Sequence, residues 1–499
     1  MLKRISAAML AALMLIPAMA ACSEDAGTPA GDTTASADTT TAPIETEPAE
    51  TERKDAKDNL PADLNLGGKT LGVYMRKAFR VRDWDGGGEE TGDLVSDLVY
   101  RRTETVKERL NVQFETTAMS GSWKDFGKEM EKNIMAGDDT WQIVFTTGNA
   151  SIGSSRDHIF MDLSDNKYID LSQPWWWEEA TREVSLDGKK LRYLVGDIHI
   201  VNYTHAGALL FNTNKLTDGG YDPEALYKTV IERKWTYDKL NEMTASLYKD
   251  INGNGTVDDA DLYGLLVIHR ELIAQMEHTG AVRRYSRDEN GHPYLDYDQE
   301  RTIKMIDTLN KLLYETKGNA YIAADVDYRP FTTGHAVFFA GRIAYTTEAD
   351  LREMEDNFGI IPYPMLDEEQ GEYTNIIHNS SDFVAVPVTC KNPDEAGAVL
   401  EALCAESYRT VIEPFYETAL KTKYSRDSYS GQCIDIIRAV STKALLFEYN
   451  NITKGGVMIG DQVAKGTNNF ASAYASQKPV TDQKIKDLIA KYAAADAKG

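Results

Sequence analysis

From about residue 65 onward the hydrophobic and polar positions fall into periods that mark out elements. "KTLGVYM" (69–75) is apolar and β-prone over a strand's length. In "DLVSDLVYRRTETVKERL" (93–110), Leu94, Val95, Leu98, Val99, Val106 and Leu110 share one helical face. "NVQFETT" (111–117) predicts a second strand, and Trp123–Met135 a second helix with Phe126, Met130, Ile134 and Met135 together. "WQIVFTTG" (141–148) is nearly continuous in apolar residues, as a strand covered on both faces would be. Strand, helix, strand, helix, strand predicts a doubly wound α/β unit, in which ligands sit beyond the carboxyl ends of the strands. Those ends run into "RKAFRVRDWDGGGEETG" and "TTGNASIGSSR", two loops rich in glycine and polar groups.

A second α/β region follows. "KKLRYLVGDIHIVNYTHAGALLFNTNKL" (189–216) is extended and long enough to pass from one lobe to another. A helix around "WTYDKLNEMTASLY" (235–248), the strand "YGLLVI" (263–268) and the helix "RTIKMIDTLNKLLYET" (301–316) come next. "GRIAYTT" reads as a further strand, "FGIIPYP" precedes a polar excursion and "DFVAVPV", and the chain ends on the helical stripe Ile485, Leu488, Ile489 and Tyr492. No period of 20–50 residues repeats, which argues against solenoids and propellers. A chain of 499 residues exceeds one ordinary core, so two lobes are expected.

The first residues set the compartment. Lys3 and Arg4 precede a short apolar run that ends at "MAAC" and Cys22, a signal-peptide pattern too short for a membrane span. "MAAC" resembles a bacterial lipobox, with Met19 in place of the commoner leucine. Residues 1–21 are therefore expected to be a lipoprotein signal peptide, with Cys22 lipidated and held to a membrane by its acyl chains alone. Residues 22–64 are expected to be a disordered acidic tether, because 23–60 hold ten acids, three bases and only Ile44 and Leu60 as large aliphatics. The net charge of −24 becomes −26 once Lys3 and Arg4 are removed, which sets the protein against nucleic acid and anionic headgroups. After Cys22 only Cys390, Cys404 and Cys433 remain, enough for one bridge at most.

In the order and spacing of its motifs, the stretch from about 65 to 499 resembles the extracellular solute-binding proteins of ABC importers (family 1), in the carbohydrate-binding branch. The residues that carry the likeness are "GKKLRYLVGD…LLFNTNKL", "WTYDKL", "FFAGRIAYTTEADL", "FGIIPYPMLDEEQGEY" and "NPDEAGAVLEALCAES". The resemblance implies an α/β, two-lobed periplasmic-binding-protein-like (type II) fold with a ligand cleft between lobes. It places passages between lobes near Ile198–Asn202, Ala344–Thr347 and His378–Asp382. Lobe one would then be 65–200 plus 346–380, and lobe two 201–345 plus 381–499. It also implies importer permease subunits as partners, and a monomer on the extracytoplasmic face of a bacterial cell membrane.

Candidate chemistry falls into three groups. In "DINGNGTVDDAD" (250–261), Asp250, Asn252, Asn254, the Thr256 carbonyl, Asp258 and Asp261 have the spacing of an EF-hand calcium loop, with Gly255 at the turn. Asp261 stands where a longer, bidentate glutamate is usual; the expectation is a structural Ca2+ clip, against a plain solvated acidic turn. "QPWWWEE" (173–179) offers three tryptophans, for packing or for stacking on sugar rings. Ligand candidates at strand ends and implied passages are Trp84, Asp85, Asn149, Ser151, Tyr203, His205, His269, Glu348 and His378. No G-x-S-x-G elbow, H-E-x-x-H or P-loop occurs. The expected function is a lipid-anchored receptor that closes on a small polar solute, foremost an oligosaccharide, and is no enzyme. The alternatives are a surface glycoside hydrolase working through two cleft carboxylates and an adhesive surface protein.

Overall fold

The computed structural model describes residues 53–77, 83–322, 327–378, 382–418, 428–441 and 449–496. The expected signal peptide and Cys22 lie outside the described residues. Strands follow in the order β1 Lys69–Arg76, β2 Val112–Met119, β3 Ile143–Thr147, β4 Gly207–Asn212, β5 Tyr263–Ile268, β6 Tyr285–Arg287 and β7 Pro293–Leu295. β8 Asn319–Ile322, β9 Ala336–Arg342, β10 Phe358–Ile361 and β11 Asp382–Ala385 complete them.

Lobe one is built on a sheet of order β2–β1–β3–β11. β1 runs parallel to β2 and β3, while β11 returns antiparallel on β3, Asp382 opposite Thr147. The helix Leu94–Leu110 starts where the Asp93 side chain accepts from Ser96 N, and ends where Asn111 turns left-handed at φ 48°. The helix Trp123–Met135 is capped likewise by Ser122. Alternate strand residues divide between the faces: Leu71, Val73 and Met75 pack with the helices Leu94–Leu110 and Pro393–Thr410, Tyr74 and Val144 with the helix Trp123–Met135. Both faces are covered, as the continuous apolar run at 141–148 requires.

Lobe two holds a five-stranded sheet, β10–β4–β9–β5–β8. β5 is parallel to β8 and β9, whereas β4 is antiparallel to β9 and β10. β6 and β7 form a separate hairpin. The α/β, two-lobed fold therefore stands as expected.

Strand pairing corrects the division of the chain. β10 hydrogen-bonds to β4, so 346–378 belongs to lobe two rather than lobe one. β11 joins β3, and the helix Pro393–Thr410 packs on Leu94–Leu110, so 382–410 belongs to lobe one rather than lobe two. Ala344–Thr347 is a 310 turn between β9 and β10 of one sheet, and is no passage. The passages at 198–202 and 378–382 are real, for Leu194 pairs with Val384 on one side and Ala206 with Ile377 on the other. A third lies after Thr410, before the helix Ser428–Ser441 that packs on β10.

Residues 53–64, expected to belong to a disordered tether, are ordered. Asp58 accepts both guanidinium nitrogens of Arg109, at 2.6 and 2.7 Å, and is reached by Arg409. Arg53 lies over the Tyr408 ring at 4.5 Å and against Glu413 at 3.6 Å. Ion pairs, with Leu60 buried in the lobe-one core and Ala56 and Leu64 packed against it, order residues 53–64 against lobe one.

A candidate ligand cleft between two sheets

The carboxyl ends of β1 and β3 mark the switch point of the lobe-one sheet, where the connections diverge to opposite sides of β1. Arg76 ends β1, and Gly148–Ser151 follows β3. In lobe two, β5, β8 and β9 end at one edge, with Ile268, Ile322 and Arg342. β4 begins at that edge, because Gly207 is paired with Arg342. The two passages enter there as well.

Three of the expected residues gather at this edge. His378 N donates to the His205 carbonyl at 3.2 Å, and the two rings lie edge to face at 6.2 Å. His269 follows β5 with φ +61° and donates its amide to Ile322 O at 2.8 Å. A bulky residue at positive φ is strained, and strain of this kind collects at functional positions. Arg342, on the strand between them, was missed by sequence reading; its guanidinium stands 5.5 Å over the Tyr345 ring. A cation ending the apolar run "AVFFAGR" was the available signal.

Across the cleft Asn149 is half-buried in the turn after β3, where its carbonyl accepts from Ser154 Oγ at 2.8 Å. Ser151 is fully buried and donates to Thr147 O at 2.8 Å, so it builds the loop instead of facing a ligand. Trp84 also departs from expectation. It is 1% exposed, its Nε1 donates to Thr116 Oγ1 at 3.1 Å, and Phe114 and Phe145 meet it edge to face. No face of the ring is open for a sugar. Asp85 holds the Gly87 amide at 3.0 Å, and burial raises its pKa. Glu348 is exposed at the head of the short helix Ala349–Arg352.

Tyr203 is buried in the short helix Ile200–Thr204, at the first passage. Its hydroxyl donates to Asp197 Oδ1 at 2.7 Å, beside the Trp177 indole at 3.1 Å to the same oxygen. Burial raises the Asp197 pKa. Arg438 covers the Tyr203 and Tyr416 rings, at 5.4 and 4.4 Å. The two passages are tied directly: Asn202 Nδ2 donates to Asp382 O at 3.0 Å, and Asp382 N donates to Asn202 Oδ1 at 2.7 Å.

The tryptophan cluster serves packing. Trp175 Nε1 donates to Glu401 Oε1 at 3.0 Å, and Trp176 Nε1 to Oε2 at 2.7 Å. Glu401 is fully buried, which pushes its carboxyl up to about 7 against the pull of the indoles. Gly196 lets the chain pass: a Cβ there would lie 2.7 Å from Trp175 O and 2.8 Å from the Trp176 ring. Cys390, Cys404 and Cys433 are buried free thiols.

The 250–261 loop has the turn of a calcium loop. Asp250 accepts the amides of Asn254 and Gly255, at 3.2 and 2.7 Å, and Gly255 takes φ +82°. Asn252 reaches both oxygens of Asp258 at 3.1 Å. Asp261 is fully buried and engaged by Tyr248 OH at 2.8 Å and by the amides of Ile251 and Asp258 at 3.2 Å. Among the described residues no three acidic, histidine or cysteine side chains gather as a metal site. Asp250, Asn252, Asn254 and Asp258 fit an ion in part, and Asp261 fits it only by exchanging its present partners.

No family model and no curated protein matches the chain in sequence. Solved structures match in fold. An ABC transporter solute-binding protein from Thermotoga lettingae bound with α-D-tagatose is similar at TM-score 0.51 and 10% identity, over 84% of this chain and 100% of that one. UgpB from Mycobacterium tuberculosis in complex with glycerophosphocholine is similar at TM-score 0.51 and 10% identity, over 86% and 98%. A designed esterase is similar at TM-score 0.54 and 14% identity, over 84% and 99%. The chain has the two-lobed fold of solute-binding proteins, and at these identities the likeness concerns fold. No helix among the described residues is long and apolar enough to cross a membrane.

Proposed function

We propose that this protein is the solute receptor of an ABC importer, lipid-anchored through Cys22 outside the cell membrane, and that it closes on a small polar ligand, foremost an oligosaccharide. One observation carries the reading: the ligand-facing edges of two separate sheets meet at two chain passages hydrogen-bonded to each other through Asn202 and Asp382. Passages so joined can serve as a hinge, and a ligand touching both edges would be held fully only when the lobes close. His205, His269, His378 and Arg342 supply donors, acceptors and a ring face for hydroxyl-rich ligands. The tagatose-bound relative in fold supports a sugar; the glycerophosphocholine-bound one keeps other polar solutes in view.

The test is a ligand panel of oligosaccharides, polyols and phosphodiesters read by thermal shift and small-angle scattering. A cognate ligand at ~100 times its Kd should stabilise the fold by ~2.7 kcal/mol, compact the particle, and return intact. His378→Ala and Arg342→Ala should weaken binding while the melting temperature without ligand is kept. Cleavage of the sugar at a rate abolished by Glu348→Gln would transfer the assignment to a hydrolase.

We also propose that Ca2+ clips the 250–261 loop and takes no part in ligand capture, since the loop closes on its own side chains. Chelation should lower the melting temperature, Asp250→Ala should remove that effect, and ligand affinity should be unchanged. Lost binding in chelated but folded protein would make the loop regulatory.

A further inference from the structure

Asp157 lies in the turn after β3, 2% exposed, outside the cleft residues described above. Its carboxyl faces phenols from both parts of the molecule. Tyr193 of lobe one donates to Oδ1 at 2.9 Å. Tyr449 stands 3.2 Å from Oδ2, and the Tyr492 phenol also bears on the carboxyl and favours its ionised form. Tyr492 belongs to the helix Phe470–Asp496, which packs on the lobe-two helices Gln299–Asn310 and Met458–Val463. Among the charged neighbours, Arg192 donates to Phe160 O at 2.7 Å and still favours the ionised carboxyl, Lys491 donates to Ser155 O at 3.0 Å, and Asp187, Lys190 and His292 line the cavity beside Asp157. His158, on the same turn, contacts Ser155 O. Asp157 makes no ion pair among the described residues.

Hydrogen counting decides what this contact is. A phenol has one hydrogen, and the Tyr449 oxygen lies 2.7 Å from Val184 O as well as 3.2 Å from Asp157 Oδ2. The Val184 carbonyl can only accept, so the shorter contact takes the Tyr449 hydrogen. The contact with Asp157 is then oxygen to oxygen, and it is attractive only when the carboxyl carries the hydrogen. We propose that Asp157 is a proton-binding site that ties lobe one to the segment at Tyr449: protonated, it donates to Tyr449 and accepts from Tyr193; ionised, it loses the Tyr449 contact while the Tyr193 and Tyr492 phenols still face it. A cavity of about 110 Å³ lined by Asp157, Val184, Tyr193, Tyr449 and Tyr492 opens beside it, roomy enough for water to carry the proton away.

Burial lifts the Asp157 pKa from 3.8 to about 6, against the pull of the tyrosines. A folded-state pKa raised above the unfolded value gives stability that is full below the unfolded pKa and lost as pH rises through the folded one. The tie should hold at pH 4 and weaken between about pH 4 and 6. Its meaning for ligand capture rests on the hinge reading; its existence does not.

The experiment is urea unfolding and hydrogen–deuterium exchange from pH 4 to 8, without any ligand, on the wild type, Asp157→Asn and Tyr449→Phe. In Asp157→Asn the amide donates to Tyr449 and its carbonyl accepts from Tyr193, a copy of the protonated acid. The folding constant of the wild type should fall about 100-fold relative to that variant across the range, since two pKa units are a factor of 100. Exchange in the wild-type segment 449–453 should rise over the same range, and stay flat in Asp157→Asn. Tyr449→Phe removes the acceptor of the Asp157 proton, so the midpoint of its pH profile should move down. An upward move would show that Tyr449 donates to an ionised Asp157, and would overturn the proposal. So would an Asp157→Asn protein that folds but is less stable than wild type at pH 8.

Discussion

Replacing Trp176 by phenylalanine tests whether the aromatic cluster is a carboxylate clamp. The ring loses its N–H, and Oε2 of Glu401 loses a 2.7 Å donor in a place with no exposure to water. A buried acceptor left unmatched costs about 1–3 kcal/mol, and a charged one belongs at the upper end. The pH dependence gives a second handle. Burial is the main cause that raises the Glu401 pKa to about 7, and the two indoles oppose it. Removing one indole raises the pKa further, which destabilises the ionised form. Sign follows: the deficit of Trp176→Phe should be larger at pH 9 than at pH 5, where the acid is already protonated. Glu401→Met removes the acceptor and orphans both indoles, and in that background Trp176→Phe removes one orphan. Urea unfolding followed by circular dichroism should therefore give a coupling above about 1 kcal/mol in the double-mutant cycle. Additivity within about 0.5 kcal/mol, or a deficit independent of pH, would refute the clamp.

Trp84→Ala should cost ~3–5 kcal/mol of stability, as emptying a large core site does; a variant of normal stability that fails only to bind ligand would return Trp84 to the cleft. Asn202→Ala deletes both bonds between the passages, so the Asp382 amide should exchange faster in deuterium and stability should fall by ~1–3 kcal/mol. Unchanged exchange there would argue that the passages are independent. Asp58→Asn should expose Arg53, Lys54 and Lys57 to trypsin while the body stays resistant; equal cleavage in the wild type would deny the ordered strap.

The alternation of strand and helix in 69–148 was legible because each element covers one apolar face, and that constraint is local. The passages at 198–202 and 378–382 were legible through resemblance. Which sheet receives β10 and which β11 was not. "FGIIPYP" and "DFVAVPV" are equally short and apolar, and their partners, β4 and β3, are remote in sequence. Composition also misjudged residues 53–64: low hydrophobicity predicts disorder, but Asp58 between Arg109 and Arg409 and the burial of Leu60 in the lobe-one core order the segment together. At the candidate site His205 and His378, expected at the passages, and His269, expected at a strand end, lie at one sheet edge, because passages and strand termini are located by the strands they join. The inward turn of Trp84 and Ser151 was not legible, since a loop's pattern carries no information about which way a side chain turns. The three tryptophans show the same limit in reverse. Adjacent residues rarely share a partner, yet an irregular stretch aims two indoles at one carboxylate and the third at Asp197.

The order of the strands constrains how the chain can be made. β3 is complete at Thr147, but the strand that covers its outer edge begins only at Asp382, after the whole of the other sheet. A chain emerging from its amino end therefore presents β1, β2 and β3 with an uncovered edge while lobe two assembles. Such an edge is a template for pairing with any passing strand. Lobe one cannot finish as an independent unit, and a truncation anywhere between Thr147 and Asp382 leaves that edge uncovered. Aggregation during synthesis or export should thus begin at β3, and holding factors that bind extended segments should be needed longest there.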